Sequence, residues 1–250
     1  MSISIKTARE IEKMRRAGEL LEKVHDELGR AIHPGMSTWE INKLGEEMIR
    51  SFGCTPNFLN YNGYPASICV SVNEEVVHGI PSKKRILKEG DIVSLDAGLT
   101  YKGYHSDAAR THAVGKVSTE AQKLMDVTKQ SFFEGIKMAK EGQHLHDISR
   151  AIEEYVTPYG YGIVRDLVGH GIGTALHEDP QIPNYAQKRR GVRLQAGMTL
   201  AIEPMINAGT WQVRFLRDGW TVVTKDGSLS AHYENTILVT DGEPEILTLY

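Results

Sequence analysis

Apolar and polar positions change their period several times along this chain, and each change marks an element. Thr7 with Glu10, and Ser37 with Glu40, have the S/T-x-x-E spacing in which two side chains satisfy orphan amides at a helix start. The spacing predicts a helix from Thr7 to about Ile32, stopped by Pro34-Gly35. A second helix carries Ile41, Leu44 and Met48 on one face and ends at Gly53. Short β-rich runs follow: SICVSV, DIVSLDAG and the segment from Asp107 to Val114. Ser118 opens another long helix, after which the order of elements recurs.

The recurrence has one offset. Gly35 and Gly142, Ile41 and Ile148, Gly53 and Gly160, and Gly90 and Gly197 all lie 107 residues apart. That register sets GMSTWEINKLGEEMIRSFG against GQHLHDISRAIEEYVTPYG as equivalent helices, and KEGDIVSLD against QAGMTLAIE as equivalent strands. Each strand ends on a carboxylate, Asp96 and Glu203, again 107 apart. The expected architecture is therefore a pseudo-two-fold α/β (α+β) domain, with repeats at about 35–110 and 142–235 inside a single domain spanning 1–250. Each half delivers one acid to a shared centre.

Composition narrows the class without choosing the chemistry. With 29 basic and 32 acidic residues the net charge is −3, which gives no polyanion-binding surface and no specific nucleic-acid partner. Cys54 and Cys69 form no CxxC pair and read as free thiols of a reducing compartment. Glu10 and Glu12 interrupt any signal or transit character at the N-terminus, and no apolar run reaches the roughly 18 residues of a membrane span. The expectation is a soluble cytoplasmic protein without a membrane partner or an added zinc-knuckle extension.

Acids at the ends of apolar strands are costly unless something neutralises them, because a lone buried carboxylate costs several kcal/mol. Asp96 closes DIVSLD, Asp107 follows the Tyr101–Tyr104 turn, Glu203 closes TLAIE, and Glu234 lies in SAHYENTILV. His170 sits in LVGHGIG, where small neighbours permit close approach. Two divalent cations would cancel four carboxylates almost completely, with the imidazole as a neutral donor. This oxygen-rich set with one nitrogen suits Mn, Fe(II), Co or Zn. Two such ions roughly 3.5–4 Å apart lower the pKa of a shared water toward about 7 and polarise a carbonyl. Any one of these acids reads equally well as a surface or capping group. As a set they describe a two-metal hydrolase, a description that phosphatases and amidohydrolases also meet.

The motifs VVHGIPS, SLDAGLTYKGYHSDAARTH, GHGIGTALHEDPQIPNY, AIEPMINAG and YENTILVT, in that order over nearly the whole chain, resemble those of the type I methionine aminopeptidases of bacterial length, in peptidase family M24. The resemblance implies the pita-bread (creatinase/aminopeptidase) fold and removal of the initiator methionine from nascent polypeptides whose second residue is small. It implies that Asp96, Asp107, His170, Glu203 and Glu234 hold the metals, with Asp107 and Glu234 bridging. It gives His177 the scissile peptide and tetrahedral intermediate, and His78 a substrate contact with proton transfer. The methionine pocket would be Phe58, Tyr61, Tyr64, Cys69, Leu176 and Trp220, although Cys69 and Phe58 alone read as ordinary core. Leu176 departs from the phenylalanine usual before that histidine.

Asn73, Glu75 and Ser230 match a monovalent-cation site of relatives. The family also implies a monomer that meets its substrates at the ribosome surface near the exit. The chain itself opens Met1-Ser2, the kind of start that the family accepts. His144 and His146 form an H-x-H pair that reads as solvated and without a carboxylate partner, and Lys188, Arg189 and Arg190 read as a solvated loop. The competing readings are an Xaa-Pro aminopeptidase or prolidase, which shares fold and ligands, and a non-catalytic pita-bread binding module.

Overall fold

The computed structural model describes residues 3–249, so Met1 and Ser2 lie outside the described residues. Four long helices carry the frame: α1 (Ala8–Ala31), α2 (Thr38–Ser51), α3 (Thr119–Ile136) and α4 (Leu145–Val156). Capping boxes at Thr7–Glu10 and Ser37–Glu40 open the first two. The Ser118 hydroxyl accepts the Ala121 N–H at 3.1 Å to open the third. The fourth starts at His144, whose own N–H donates to Asp147 Oδ2 at 3.0 Å.

That start corrects the reading of the H-x-H pair. Asp147 Oδ2 lies 4.0 Å from His144 Nδ1, and His146 Nδ1 lies 2.6 Å from the Arg189 carbonyl oxygen. Both histidines are half-buried, and Arg190, exposed with Lys188 and Arg189, pairs with Asp147 at 2.5 Å. The strand expected from Asp107 also begins earlier, at Tyr104. Lys102 (φ 49°) and Gly103 (φ 80°) close a tight left-handed turn there, which lets Ile92–Tyr101 and Tyr104–Ala113 pair along their full length.

This hairpin is the middle of one half of a nine-stranded sheet. Tyr104–Ala113 pairs with Glu234–Leu238, which pairs with Thr199–Ile202, so strands from the two halves meet at the centre. The 107-residue offset recurs in backbone hydrogen bonds. Gly35 N–H donates to Leu87 O and Gly142 N–H to Leu194 O; the return bonds are Leu87 N–H to Met36 O and Leu194 N–H to Gln143 O. Gly90 and Gly197 take φ of 89° and 92°, conformations that suit glycine. The same turns therefore aim the strands that carry Asp96 and lead to Glu203; Asp96 does not close its strand as expected, because the hairpin pairing carries that strand on to Tyr101.

Alternation along these strands separates core from site. Val93, Leu95, Ala97 and Leu99 pack with α1 and α2 around Leu21, Val24 and Ile41, which turns Asp96 the other way. Ala108 joins that core, so Asp107 also faces away from it. In the second half Leu200, Ile202, Ala231, Tyr233 and Ile237 pack with α3 and α4 around Phe132 and Ile148. Glu203, His232 and Glu234 occupy the opposite phase.

Candidate metal centre

The site-facing positions converge on a cavity of about 250 Å³. Asp96, Asp107, His170, Glu203 and Glu234 line it together with His78 and His177. All six expected pocket residues, Phe58, Tyr61, Tyr64, Cys69, Leu176 and Trp220, also line it. Gly98 is required for this convergence, since a Cβ there would stand 3.0 Å from Asp107 Oδ1 and 2.5 Å from Asn57 Nδ2.

The four carboxylates lack counter-charge. Among the described residues none of them forms an ion pair with a lysine or arginine, and Asp96 Oδ1, Asp107 Oδ1 and Glu234 Oε1 are buried without a hydrogen-bond partner. Burial, reinforced by the charge of Glu203, pushes Asp96 up to about 7 against the opposing pull of His232. Burial pushes Glu203 up to about 8. Asp107 and Glu234 are driven well above the carboxylate range by burial first and by their neighbours' charges next. Carboxylates so placed fit a divalent cation, whose charge stabilises the ionised form.

The imidazoles are prepared for the same task. His170 Nδ1 lies 2.8 Å from the Gly171 carbonyl, so the ring proton belongs on Nδ1 and the Nε2 lone pair is free. That Nε2 is 3.7 Å from Glu203 Oε1. Burial holds His170 down to about 4, leaving it neutral near pH 7. Asp107, His170 and Glu234 form one group able to hold an ion; Glu203, His232 and Glu234 form a second, with Glu234 common to both.

His232 is the residue that sequence reasoning missed. It is 1% exposed, and its Nε2 lies 3.6 Å from Glu203 Oε2 and 4.0 Å from Glu234 Oε2. Its available signal is the period of two that places it in phase with Glu234. The sheet changes between them, because Ser230–His232 pairs with Met205–Asn207 whereas Glu234–Leu238 joins the large sheet. Arg110 was missed as well. Its guanidinium binds the Glu234 and Thr248 carbonyls, Asn235 and Glu22, fixing the strand behind the site.

At the mouth, Tyr61 OH lies 2.7 Å from His177 Nδ1. With the phenol as donor to that nitrogen, the imidazole proton sits on Nε2. The His177 and His170 rings meet edge to face at 4.3 Å. His78 has a left-handed backbone (φ 59°) and stands edge-on to Trp220 at 6.2 Å; burial, then His232 and His177, hold it down to about 4. Tyr64 is fixed by its hydroxyl donating to the Gly79 carbonyl at 2.8 Å and crosses Trp220 edge to face. Cys69 faces Asp96 in register across the sheet; it and Cys54 are free thiols.

Asn73, Glu75 and Ser230 line no part of this cavity. Asn73 O accepts the Ser230 N–H at 2.9 Å. Their side chains are engaged: Asn73 with Asp91 and Ile92, Glu75 with the Val72 N–H, and Ser230 with Asn207.

Comparison with known proteins agrees over the full length. The model of metallopeptidase family M24 matches residues 12–241. A methionine aminopeptidase of Clostridium acetobutylicum is 54% identical over 99% of both chains. The crystal structure of a Thermotoga maritima methionine aminopeptidase superposes with a TM-score of 0.97 at 48% identity, covering all of each chain. An Xaa-Pro dipeptidase of Bacillus anthracis is similar at 27% identity and a TM-score of 0.79, with 98% of this chain spanning 62% of that one.

Proposed function

The chain belongs to metallopeptidase family M24, and from that premise we propose that it is a methionine aminopeptidase, which removes the initiator methionine from nascent polypeptides whose second residue is small. The observation that carries the chemistry is the set of four carboxylates from strands of both halves, buried or half-buried without counter-charge beside an apolar slot. Asp96, Asp107, His170, Glu203 and Glu234 would hold two divalent cations, among Co, Mn, Fe(II) and Zn, with Asp107 and Glu234 shared. When bound, the cations supply Lewis acidity and a water of lowered pKa.

The protein's own groups do the rest. Tyr61 fixes the tautomer in which His177 donates from Nε2, as the developing negative charge on a peptide oxygen requires. His78, neutral near pH 7, accepts a proton or a hydrogen bond from the substrate. Phe58, Tyr64, Cys69, Leu176 and Trp220 close an apolar wall suited to a thioether side chain. A monovalent cation by Asn73, Glu75 and Ser230 would draw on backbone carbonyls, since the side chains are engaged. We assign residues 1–250 to one catalytic domain, monomeric and cytoplasmic, acting on chains emerging at the ribosome surface.

An Xaa-Pro aminopeptidase reading uses the same acids, but the proline-specific neighbour is less similar to this chain, in sequence and in superposition, than the methionine-specific one. Assays on Met-Ala-Ser and Gly-Pro-Ala, before and after metal removal, separate the readings. Release of methionine from the first peptide alone, abolished by chelation and restored by added metal, is expected. Preference for Gly-Pro-Ala would transfer the chain to the proline-specific branch, and failure on both with metal bound would leave a binding module.

A further inference from the structure

His232 is not among the five expected ligands, yet its Nε2 stands beside two of them, Glu203 and Glu234. Both of its ring nitrogens are buried without a hydrogen-bond partner, which for a polar side chain 1% exposed is unfavourable unless a further ligand completes it. One nitrogen of a neutral imidazole carries a proton and the other a lone pair. If Nε2 carried the proton it would be expected to close on a carboxylate oxygen at about 2.7–3.2 Å. It stands 3.6 Å from Glu203 Oε2 and 4.0 Å from Glu234 Oε2 instead.

Those gaps match the spacing of a pair already assigned to metal. His170 Nε2 stands 3.7 Å from the other oxygen of the same carboxylate, Glu203 Oε1. Glu203 thus lies between two imidazole nitrogens, each separated from one of its oxygens by nearly the same distance. Two donor atoms that each take a bond of about 2.0–2.2 Å to a common ion are separated by such a span. A lone pair facing two carboxylate oxygens is repulsive until a cation lies among them.

We propose that His232 is a direct metal ligand through Nε2, in a group with Glu203 and Glu234 that stands beside the group of His170, Asp107 and Glu234, while Glu203 turns one oxygen toward each imidazole. This rests on the two-metal reading and adds a second nitrogen to it. Each cation then has one imidazole, and the site gains affinity for ions that favour nitrogen over all-oxygen surroundings.

The test titrates Co(II) into metal-free protein labelled with ¹⁵N-histidine and counts the contact-shifted ring N–H signals by proton NMR, with affinities from calorimetry. The wild type is expected to show two shifted imidazoles at full loading. His232→Gln is expected to lose one of them and to bind one cobalt at least about tenfold more weakly. His170→Gln should lose the other signal. The count in the wild type needs no substitution, so a poorly folded variant does not remove the test. One shifted imidazole in the wild type, untouched in His232→Gln, would overturn the proposal and leave His232 a neighbour of Glu203, with the two-metal reading standing. Absence of cobalt binding by the wild type would overturn that reading itself.

Discussion

In the first half of the molecule, Asp96 and Asp107 sit on the two ten-residue strands of one hairpin, Ile92–Tyr101 and Tyr104–Ala113. In the second half, Glu203 follows a strand of four residues and Glu234 begins one of five, with the chain from 204 to 233 running out and back between them. The frame is shared, down to matching hydrogen bonds at Gly35 and Gly142. What each half delivers differs. The hairpin supplies oxygen only, whereas the second half supplies carboxylates together with His170, His232 and, at the mouth, His177 and Trp220. Repetition thus fixes where the two strands begin and how far along Asp96 and Glu203 fall, while unequal connections set which side chains surround that point.

The strongest way to break this comparison is to remove one of the two repeat-related acids at a time. Asp96→Asn and Glu203→Gln each keep shape and lose charge at equivalent positions. Each should lower kcat/KM on a Met-Ala-Ser peptide by roughly 10³-fold or more, because the lowered water pKa depends on held cations. Metal content and circular dichroism should show loss of binding with the fold intact. Near-normal activity in either variant would make the halves unequal partners and withdraw that acid from the site.

A second difference appears in the metal-free protein as pH changes. Burial raises Asp96 from 3.8 to about 7 and Glu203 from 4.5 to about 8. Below about pH 6.5 the histidines held down to about 4 act in the opposite direction, but between about 6.5 and 8 the folded state binds more protons than the unfolded chain, so stability falls as pH rises through that range. Thermal midpoints of metal-free protein should therefore decline across this range, and saturating divalent metal should reverse the decline. Asp96→Asn and Glu203→Gln should each flatten the curve, the latter relieving the high-pH end more. A midpoint rising from pH 6.5 to 8 without metal would contradict the assigned burial.

Much of this was legible in the residues and some was not. Capping boxes, left-handed glycines and the 107-residue register are local signals, so α1, α2 and the starts of the strands that carry Asp96 and lead to Glu203 could be read directly, although the first runs on past Asp96 to Tyr101. Thr111 shows where local reading stops. Its hydroxyl donates to the His232 carbonyl and accepts the His232 N–H, tying together positions 121 residues apart. Nothing in SAHYEN announces this contact, or the change of sheet at Tyr233. Arg110 was invisible for a similar reason, since four of its partners lie 88 to 138 residues away. His144 misled because a histidine at a helix start is not among the usual capping residues.

The shared turns offer a quieter probe of the same comparison. Gly90 and Gly197 have nearly the same φ, so alanine strains both by roughly 1–2 kcal/mol. Their surroundings differ: a Cβ at Gly90 meets nothing nearer than 3.8 Å, whereas one at Gly197 meets Ile5 Cγ2 at 2.7 Å and Lys6 O at 3.0 Å. Gly197→Ala should therefore be the more destabilising by about 1 kcal/mol or more in urea unfolding of the metal-loaded protein. Equal costs would mean that the 5–6 segment moves aside freely.

The smallest expected effect concerns the pocket wall, where the two halves meet without any repeat between them. Leu176 is 2% exposed and packs with Phe58, Tyr64 and Cys69, next in sequence to His177. Leucine in place of an aromatic ring leaves the slot roomier, and an apolar slot separates side chains that differ by one methylene by only about 1–3 kcal/mol. Leu176→Phe should narrow the slot and raise the ratio of kcat/KM for methionine over leucine on otherwise identical peptides by up to about tenfold, near 1.4 kcal/mol. The ratio is the readout, since crowding beside His177 changes the absolute rates for both substrates alike. An unchanged ratio would mean that Phe58 already closes this side of the pocket, and residue 176 would then be core rather than a determinant of selectivity.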